Sequence, residues 1–293
     1  TAAVRFGAEN EIAIGAGDAF IAGGVESMTR VPQGGFNHSP NPRFASKGAT
    51  NPDVMLDAYI SMGETAENVA KQYNVSRAEQ EKLAYLSQMK AAEAQSAGRL
   101  KAEIVPVTTA DGIVDADGTL RPSTTLEGLA GLKPAFRPDG VVTAGTASPL
   151  TDGAAMTLIT SEAYAKRHGL EILGIIRSAA VAGVPPEIMG MGPVPASQKA
   201  LARAGLTIRD IDVVEINEAF GSQAVASIRE LGIPMERVNI DGGGISIGHP
   251  LGATGARITG KAAQIMKREG GKFALSTQCI GGGQGIATVI EAA

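Results

Sequence analysis

The sequence predicts a layered α/β fold around a largely parallel sheet, and three observations carry that expectation. Near its start, helix-compatible sequence passes through a glycine turn into the short apolar segment "DAFIAGGVES", as a helix feeding a doubly covered strand would. From about residue 172, strand-like and helix-like patterns alternate to the end. Polar residues (Asn217, His249 and Cys279) recur where those strands end, the usual place for ligands in open α/β sheets.

Taken in order, residues 1–25 read as helix, glycine turn and strand, with Ala19 to Ala22 buried on both faces. "VPQGGFNHSPNPRFASKGATNP", rich in Pro, Gly, Asn and Ser, reads as an irregular excursion. "NVSRAEQ" then opens a strong helix: Ser76 and Glu79 form a capping box, Leu83 and Leu86 mark its apolar stripe, and Gly98 closes it. "IVPVTT" and "IVDADGTLRP" read as short strands with a hairpin turn at Asp117-Gly118. This polar, loop-rich middle is expected to be an insertion between two sheet domains. Next come a strand ("EILGIIRSAAVAG"), a helix led by proline ("PVPASQKALARAG") and a strand with a polar end ("DIDVVEINEAF"). They are followed by a helix ("GSQAVASIREL"), a strand and glycine turn ("RVNIDGGG"), a helix ("GATGARITGKAAQIMKREG") and a closing pair of strands.

Bulk properties narrow the function. A chain of 293 residues has room for two domains. A net charge of −4 leaves no basic footprint for nucleic acid. One cysteine excludes an intrachain disulfide and fits a reducing, cytoplasmic compartment. No apolar run approaches the roughly eighteen residues of a membrane span, so no membrane partner is expected. The sequence opens at Thr1 with neither a start methionine nor a targeting pattern.

Of three histidines, His168 ends a helix before Gly169 and reads as a partner of terminal carbonyls, while His38 lies in the excursion and reads as surface. His249 differs. Gly248 and Pro250 flank it, and Gly252 and Gly255 open a helix, which fixes a backbone and sets an imidazole beside a helix N-terminus. A turn histidine satisfied by backbone would look the same. Cys279 is open to two readings as well: free cysteine is commonly a small hydrophobe, yet Gly281 to Gly283 would let backbone N–H groups converge on an oxygen beside the thiol. Asn217 could anchor a water or a carbonyl, with Glu218 as an orienting partner for His249; Asn-Glu pairs also form ordinary turns.

Taken together, "NEAFGSQA", "NIDGGGISIGHPLGATGAR" and "LSTQCIGGGQGIA" resemble the thiolase family. "AGGVESMTRVP", "MGETAENVAKQYNVSRAEQEKLAYLSQMKA" and "GTASPLTDGAA" extend the resemblance along the whole chain in register. It implies the thiolase fold, a layered αβαβα arrangement of two similar sheet-and-helix domains plus a loop domain. Residues 1–28 with 151–171 would be the remainder of the N-terminal domain, 29–150 the loop domain and 172–293 the C-terminal domain.

The implied reaction is 3-oxoacyl-CoA + CoA ⇌ acyl-CoA + acetyl-CoA, by an acetyl-CoA C-acyltransferase or C-acetyltransferase. "ASPLTDGAA" leans toward the degradative members, hence β-oxidation. The resemblance makes His249 the base that takes the nucleophile's proton, and gives it, with a water held by Asn217, the thioester oxygen of the enolate. Cys279 becomes the acid/base thiol and Gly281 the source of an oxyanion N–H. Pantetheine would run beside Ser148, walled by Met62, Met189 and Phe220. CoA and acyl-CoA enter as substrates; neither a resident cofactor nor a metal is implied, and a homodimer or homotetramer is. The family's acylated cysteine is expected a few residues upstream of Thr1, so the chain reads as a subunit lacking its N-terminal part. Where the family often has His before the methionine, this chain has Ser61, a departure that bears on acyl-chain preference. Two other readings are a silent acyl-CoA-binding subunit, against which the intact His249, Asn217 and Cys279 argue, and a decarboxylating ketosynthase, which would favour histidine at Cys279.

Overall fold

A computed structural model of the chain describes residues 2–32, 35–37, 39–41, 44 and 58–293. His38 and most of the Pro/Asn-rich excursion lie outside the described residues. The helices are α1 (Ala2–Ala13), α2 (Met62–Gln72), α3 (Arg77–Ser96), α4 (Leu126–Ala130), α5 (Glu162–Arg167), α6 (Pro193–Ala204), α7 (Gly221–Leu231), α8 (Gly244–Ile247) and α9 (Thr254–Glu269). The strands are β1 (Ala19–Ser27), β2 (Val107–Thr109), β3 (Gly112–Val114), β4 (Asp152–Thr160), β5 (Ile175–Gly183), β6 (Val213–Ile216), β7 (Phe273–Ile280) and β8 (Gln284–Glu291).

Strand alternation sets the layers. In β6, Val214 and Ile216 face one way and pack with Ala196, Ala200, Ala224 and Ile228 of α6 and α7. Val213 faces the other way, against Ala262, Ile265 and Met266 of α9. The four-stranded sheet, in order β5-β8-β7-β6, is therefore covered by α6 and α7 on one face and by α9 on the other. Beyond α9, and beside α1, lies the antiparallel ribbon of β1 and β4. Helices α2 and α3 pack outside α7.

The sheet is not largely parallel. Among the described strands only β6 and β7 run parallel; β7 with β8 and β5 with β8 are antiparallel, as is β1 with β4. The physical reason lies in the connections: the glycines after Cys279 join β7 to β8 directly, and a turn that short permits only antiparallel pairing. Nor is β1 buried on both faces. Ala22 is buried, but Ile21 and Val25 are 71% and 72% exposed, because the described ribbon is covered by helices on one side alone.

Two turns also depart from expectation. The hairpin between β2 and β3 turns at Ala110-Asp111, where Gly112 takes φ +124°, and not at Asp117-Gly118. "DG" occurs twice in this stretch, and it is the first, Asp111-Gly112, that falls at the turn. "RVNI" makes a single bridge, Val238 to Val214, in place of a strand. Asn239 takes a left-handed φ of 44° and ends the pairing. Its side-chain amide substitutes for a ladder, accepting from Ile216 N and donating to Ile216 O, each at 2.9 Å. Other expectations hold: Ser76 and Glu79 form the capping box, and Gly98 follows the helix at φ +73°.

Candidate active site

Three segments converge at the carboxyl end of the β6–β7 pair. Asn217 continues the parallel ladder by one residue, its N–H donating to Thr277 O at 3.0 Å. Cys279 lies near the end of β7, two residues past Thr277. His249 comes from the short segment between α8 and α9, and its Nε2 stands 3.1 Å from Asn217 Nδ2.

That segment is built by close approach. Gly248 has φ +91°, and a Cβ there would collide with Thr151, whose hydroxyl accepts the His249 N–H at 3.2 Å. A Cβ on Gly252 would meet the carbonyl oxygen of Val25, and its N–H donates to Glu26 Oε2 at 3.1 Å. Thus the entrance to α9 is fastened to β1 and to the residue before β4.

Glu218 does not orient the histidine. Its buried carboxylate accepts from Ser87 Oγ (2.6 Å), Asn239 Nδ2 (2.6 Å) and Ile245 N (3.2 Å), tying the turn after β6 to α3 and α8. The other ring nitrogen of His249, Nδ1, instead lies 2.6 Å from Thr254 Oγ1. Thr254 and Thr151 escaped sequence reasoning, because a threonine at a helix start or in a loop carries no mark of its own. The five-residue spacing from His249 across a Gly-containing turn was the one available hint to Thr254.

The electrostatics suit neutral groups. Burial, with Arg257 adding to it, holds the His249 imidazole down to about 4. Burial pushes the Cys279 thiol up to about 12, so it is protonated near neutral pH. Asn217 Oδ1 is buried and has no hydrogen-bond partner among the described residues, leaving an unused acceptor.

The expected wall residues gather around the thiol. Cys279 packs in one cluster with Met189, Phe220, Ala147, Ala219, Ala66 and the partly buried Met62. Ser148 is pinned beside it, its N–H and Oγ both directed to Ala219 O at 3.0 and 3.2 Å. Phe136 meets Phe220 edge-on at 5.9 Å between centroids, a contact the sequence did not suggest. Gly281 follows Cys279 by two residues, and a Cβ there would find only Met62 Sδ at 4.0 Å, so its backbone borders open space. Ser61 serves as the N-cap of α2, accepting from Glu64 N. His168 is remote from this site: it caps α5, its N–H donating to Tyr164 O and its ring lying 4.2 Å from that of Tyr164. Among the described residues no cluster of metal-ligating side chains occurs.

An α/β protein with an imidazole, an amide and a neutral thiol at one sheet end can move protons and polarise a carbonyl, the chemistry of acyl-transfer enzymes. Comparison with known proteins names the family. The profile for "Thiolase, N-terminal domain" matches residues 2–163 and that for "Thiolase, C-terminal domain" residues 170–292. An acetyl-CoA acetyltransferase of Shinella zoogloeoides is 48% identical over 96% of this chain and 74% of its own length. The peroxisomal 3-ketoacyl-CoA thiolase B of Rattus norvegicus is 48% identical over 94% and 66%, so the chain spans two thirds to three quarters of such relatives. The crystal structure of human mitochondrial 3-ketoacyl-CoA thiolase in complex with CoA superposes with TM-score 0.88 at 39% identity, covering 99% of this chain and 75% of that one. The chain belongs to the thiolase family, has its α/β fold, and is an acyltransferase of that family.

Proposed function

We propose that the protein catalyses thiolytic cleavage of 3-oxoacyl-CoA by CoA, in the degradative direction of β-oxidation, giving acyl-CoA and acetyl-CoA. The observation that carries this reading is the meeting of the His249–Asn217 pair with a neutral Cys279 thiol at one sheet end, beside apolar walls.

The chemistry needs a thiol to carry the acyl group, and Cys279 is the single cysteine of the chain. The acyl-bearing cysteine therefore comes from outside these residues. His249 takes its proton, and the thiolate attacks C3 of the substrate. Collapse breaks the C2–C3 bond and leaves the acyl group on that cysteine and the enolate of acetyl-CoA. The enolate oxygen is held by the now protonated His249 and by a water whose own proton acceptor is Asn217 Oδ1. Cys279 gives its proton to C2, releasing acetyl-CoA. The Cys279 thiolate then takes the proton of incoming CoA, whose sulfur attacks the acyl thioester, with Gly281 N–H directed to the oxyanion.

CoA is bound as substrate, its pantetheine along Ser148, Met62, Met189 and Phe220, with residues 29–150 acting as the loop domain between the sheet-bearing parts 1–28 with 151–171 and 172–293. No resident cofactor is invoked, and the protein works as a homodimer or homotetramer in the cytoplasm. Incubation of the subunit extended to carry the upstream acyl-bearing cysteine with 3-oxoacyl-CoA of several chain lengths plus CoA, followed by chromatography of the thioesters, tests the reading. Acetyl-CoA and a shortened acyl-CoA are expected. Binding of acyl-CoA without turnover at any chain length would replace this reading with a silent binding subunit.

A further inference from the structure

We infer that Thr254 is a positioning residue that fixes His249 in the tautomer carrying its proton on Nδ1, so that Nε2, on the Asn217 side of the ring, is the nitrogen left unprotonated. Two independent ends of the ring lead to the same tautomer. At one end, Thr254 Oγ1 lies 2.9 Å from the carbonyl oxygen of Pro250, which can only accept, so the one hydroxyl proton goes there. The oxygen lone pair is then left toward Nδ1 at 2.6 Å, and the ring nitrogen must be the donor. At the other end, Nε2 faces Asn217 Nδ2 at 3.1 Å, and an amide NH₂ can only donate, so Nε2 accepts.

The environment holds this chain of donors in place. Thr254 is fully buried at the first position of α9, and both its backbone N–H and its hydroxyl are directed to Pro250 O. Glu218, the nearest carboxylate in sequence to Asn217, is engaged with Ser87, Asn239 and Ile245, so the ring is held by neutral partners. A hydroxyl orients the imidazole without adding an anion to stabilise its protonated form. That keeps His249 a neutral base at rest and a strong donor once protonated.

The kinetic arm of the test rests on the thiolase reading; the spectroscopic arm does not. With only three histidines, ¹⁵N-labelled protein gives a simple imidazole spectrum in which bare and protonated ring nitrogens are well separated. For His249, assigned by its loss in His249→Gln, the expected pattern is a protonated Nδ1 and a bare Nε2. Thr254→Val should yield mixed tautomers and a kcat lower by about 10–100-fold with KM within about twofold, and Thr254→Ser should restore both to within about threefold. A wild-type proton on Nε2, or an undiminished kcat in folded Thr254→Val, overturns the inference. If Thr254→Val does not fold, the wild-type spectrum and a failure of Thr254→Ser to keep the tautomer decide it. The kinetic measurements use protein that carries the upstream acyl-bearing cysteine; if that protein is inert toward every 3-oxoacyl-CoA the thiolase reading is overturned, while the spectrum still decides the tautomer.

Discussion

His249 Nε2 and Asn217 Nδ2 lie 3.1 Å apart although 32 residues separate them in the chain. One residue comes from the end of a strand and the other from the entrance of a helix, so their contact measures how sheet and helix are docked. It also makes the imidazole sensitive to the chemistry of its neighbour. Asn217→Asp keeps the shape but sets an anion against Nε2. The wild-type imidazole, the proposed base, stays neutral down to about pH 4, so kcat/KM should remain flat through the acidic range above that value. In Asn217→Asp the carboxylate favours imidazolium, and the acidic limb should move upward with a loss on the order of 10²-fold at neutral pH. A pH–rate profile with an unmoved limb would refute the contact as a functional one.

The two proposed acid/base groups should separate by half-reaction. In protein that carries the upstream acyl-bearing cysteine, Cys279→Ala removes the proton donor for the enolate and should abolish carbon–carbon cleavage while leaving covalent acylation of that upstream cysteine by a simple acyl-CoA. His249→Ala should impair both steps by about 10² or more. Intact-protein mass spectrometry after incubation with acetyl-CoA distinguishes them. Loss of acylation in Cys279→Ala would mean that this thiol has been given the wrong role.

Cys279 should be a slow target for thiol reagents. Burial leaves it 8% exposed and pushes it up to about 12, so the reactive thiolate is scarce near neutral pH. Iodoacetamide modification of the free protein, followed at this residue by peptide mass spectrometry, should accelerate about tenfold per pH unit up to the limit of fold stability. Rapid, pH-independent labelling at pH 7 would show the thiolate to be the resting form.

Glu215 offers a stability test away from the proposed chemistry. It is buried on the α9 side of β6, burial pushes its carboxyl up to about 8, and Lys261 and Arg257 only partly offset this. A carboxyl raised in the folded state contributes stability that is complete below its ordinary value of 4.5 and is lost as pH rises through about 8. Glu215→Gln removes that dependence. Its Tm relative to the parent should therefore climb as pH goes from about 5 to 8. A constant difference across that interval would mean Glu215 is charged in the folded protein.

Much of this organisation was legible in the sequence, for identifiable reasons. Ser76 and Glu79 announce a helix start because capping is a local event, decided within four residues. His249 and Cys279 stand out because glycines beside them mark places where backbone must approach something closely. Pairing direction was not legible, since an apolar run such as "IIRSAAVAG" looks alike beside a parallel or an antiparallel neighbour. Asn239 misled because its side chain performs the hydrogen bonding that the pattern assigns to a strand. Thr254 was invisible because its importance arises only when the turn after His249 folds back on itself.

The anchoring of His249 has a consequence for how the molecule responds to load. The imidazole's backbone is tied to Thr151, and the turn after it to Glu26, both belonging to the β1–β4 ribbon and its approach. Asn217 and Cys279 ride on the other sheet. The proposed reacting groups thus straddle a seam, as the two jaws of a gauge straddle a workpiece. Any slip of ribbon against sheet opens the 3.1 Å contact first, well before either layer loses its own packing. On heating or in mild denaturant, activity should fade ahead of the loss of secondary structure, with misalignment of the jaws as the earliest damage.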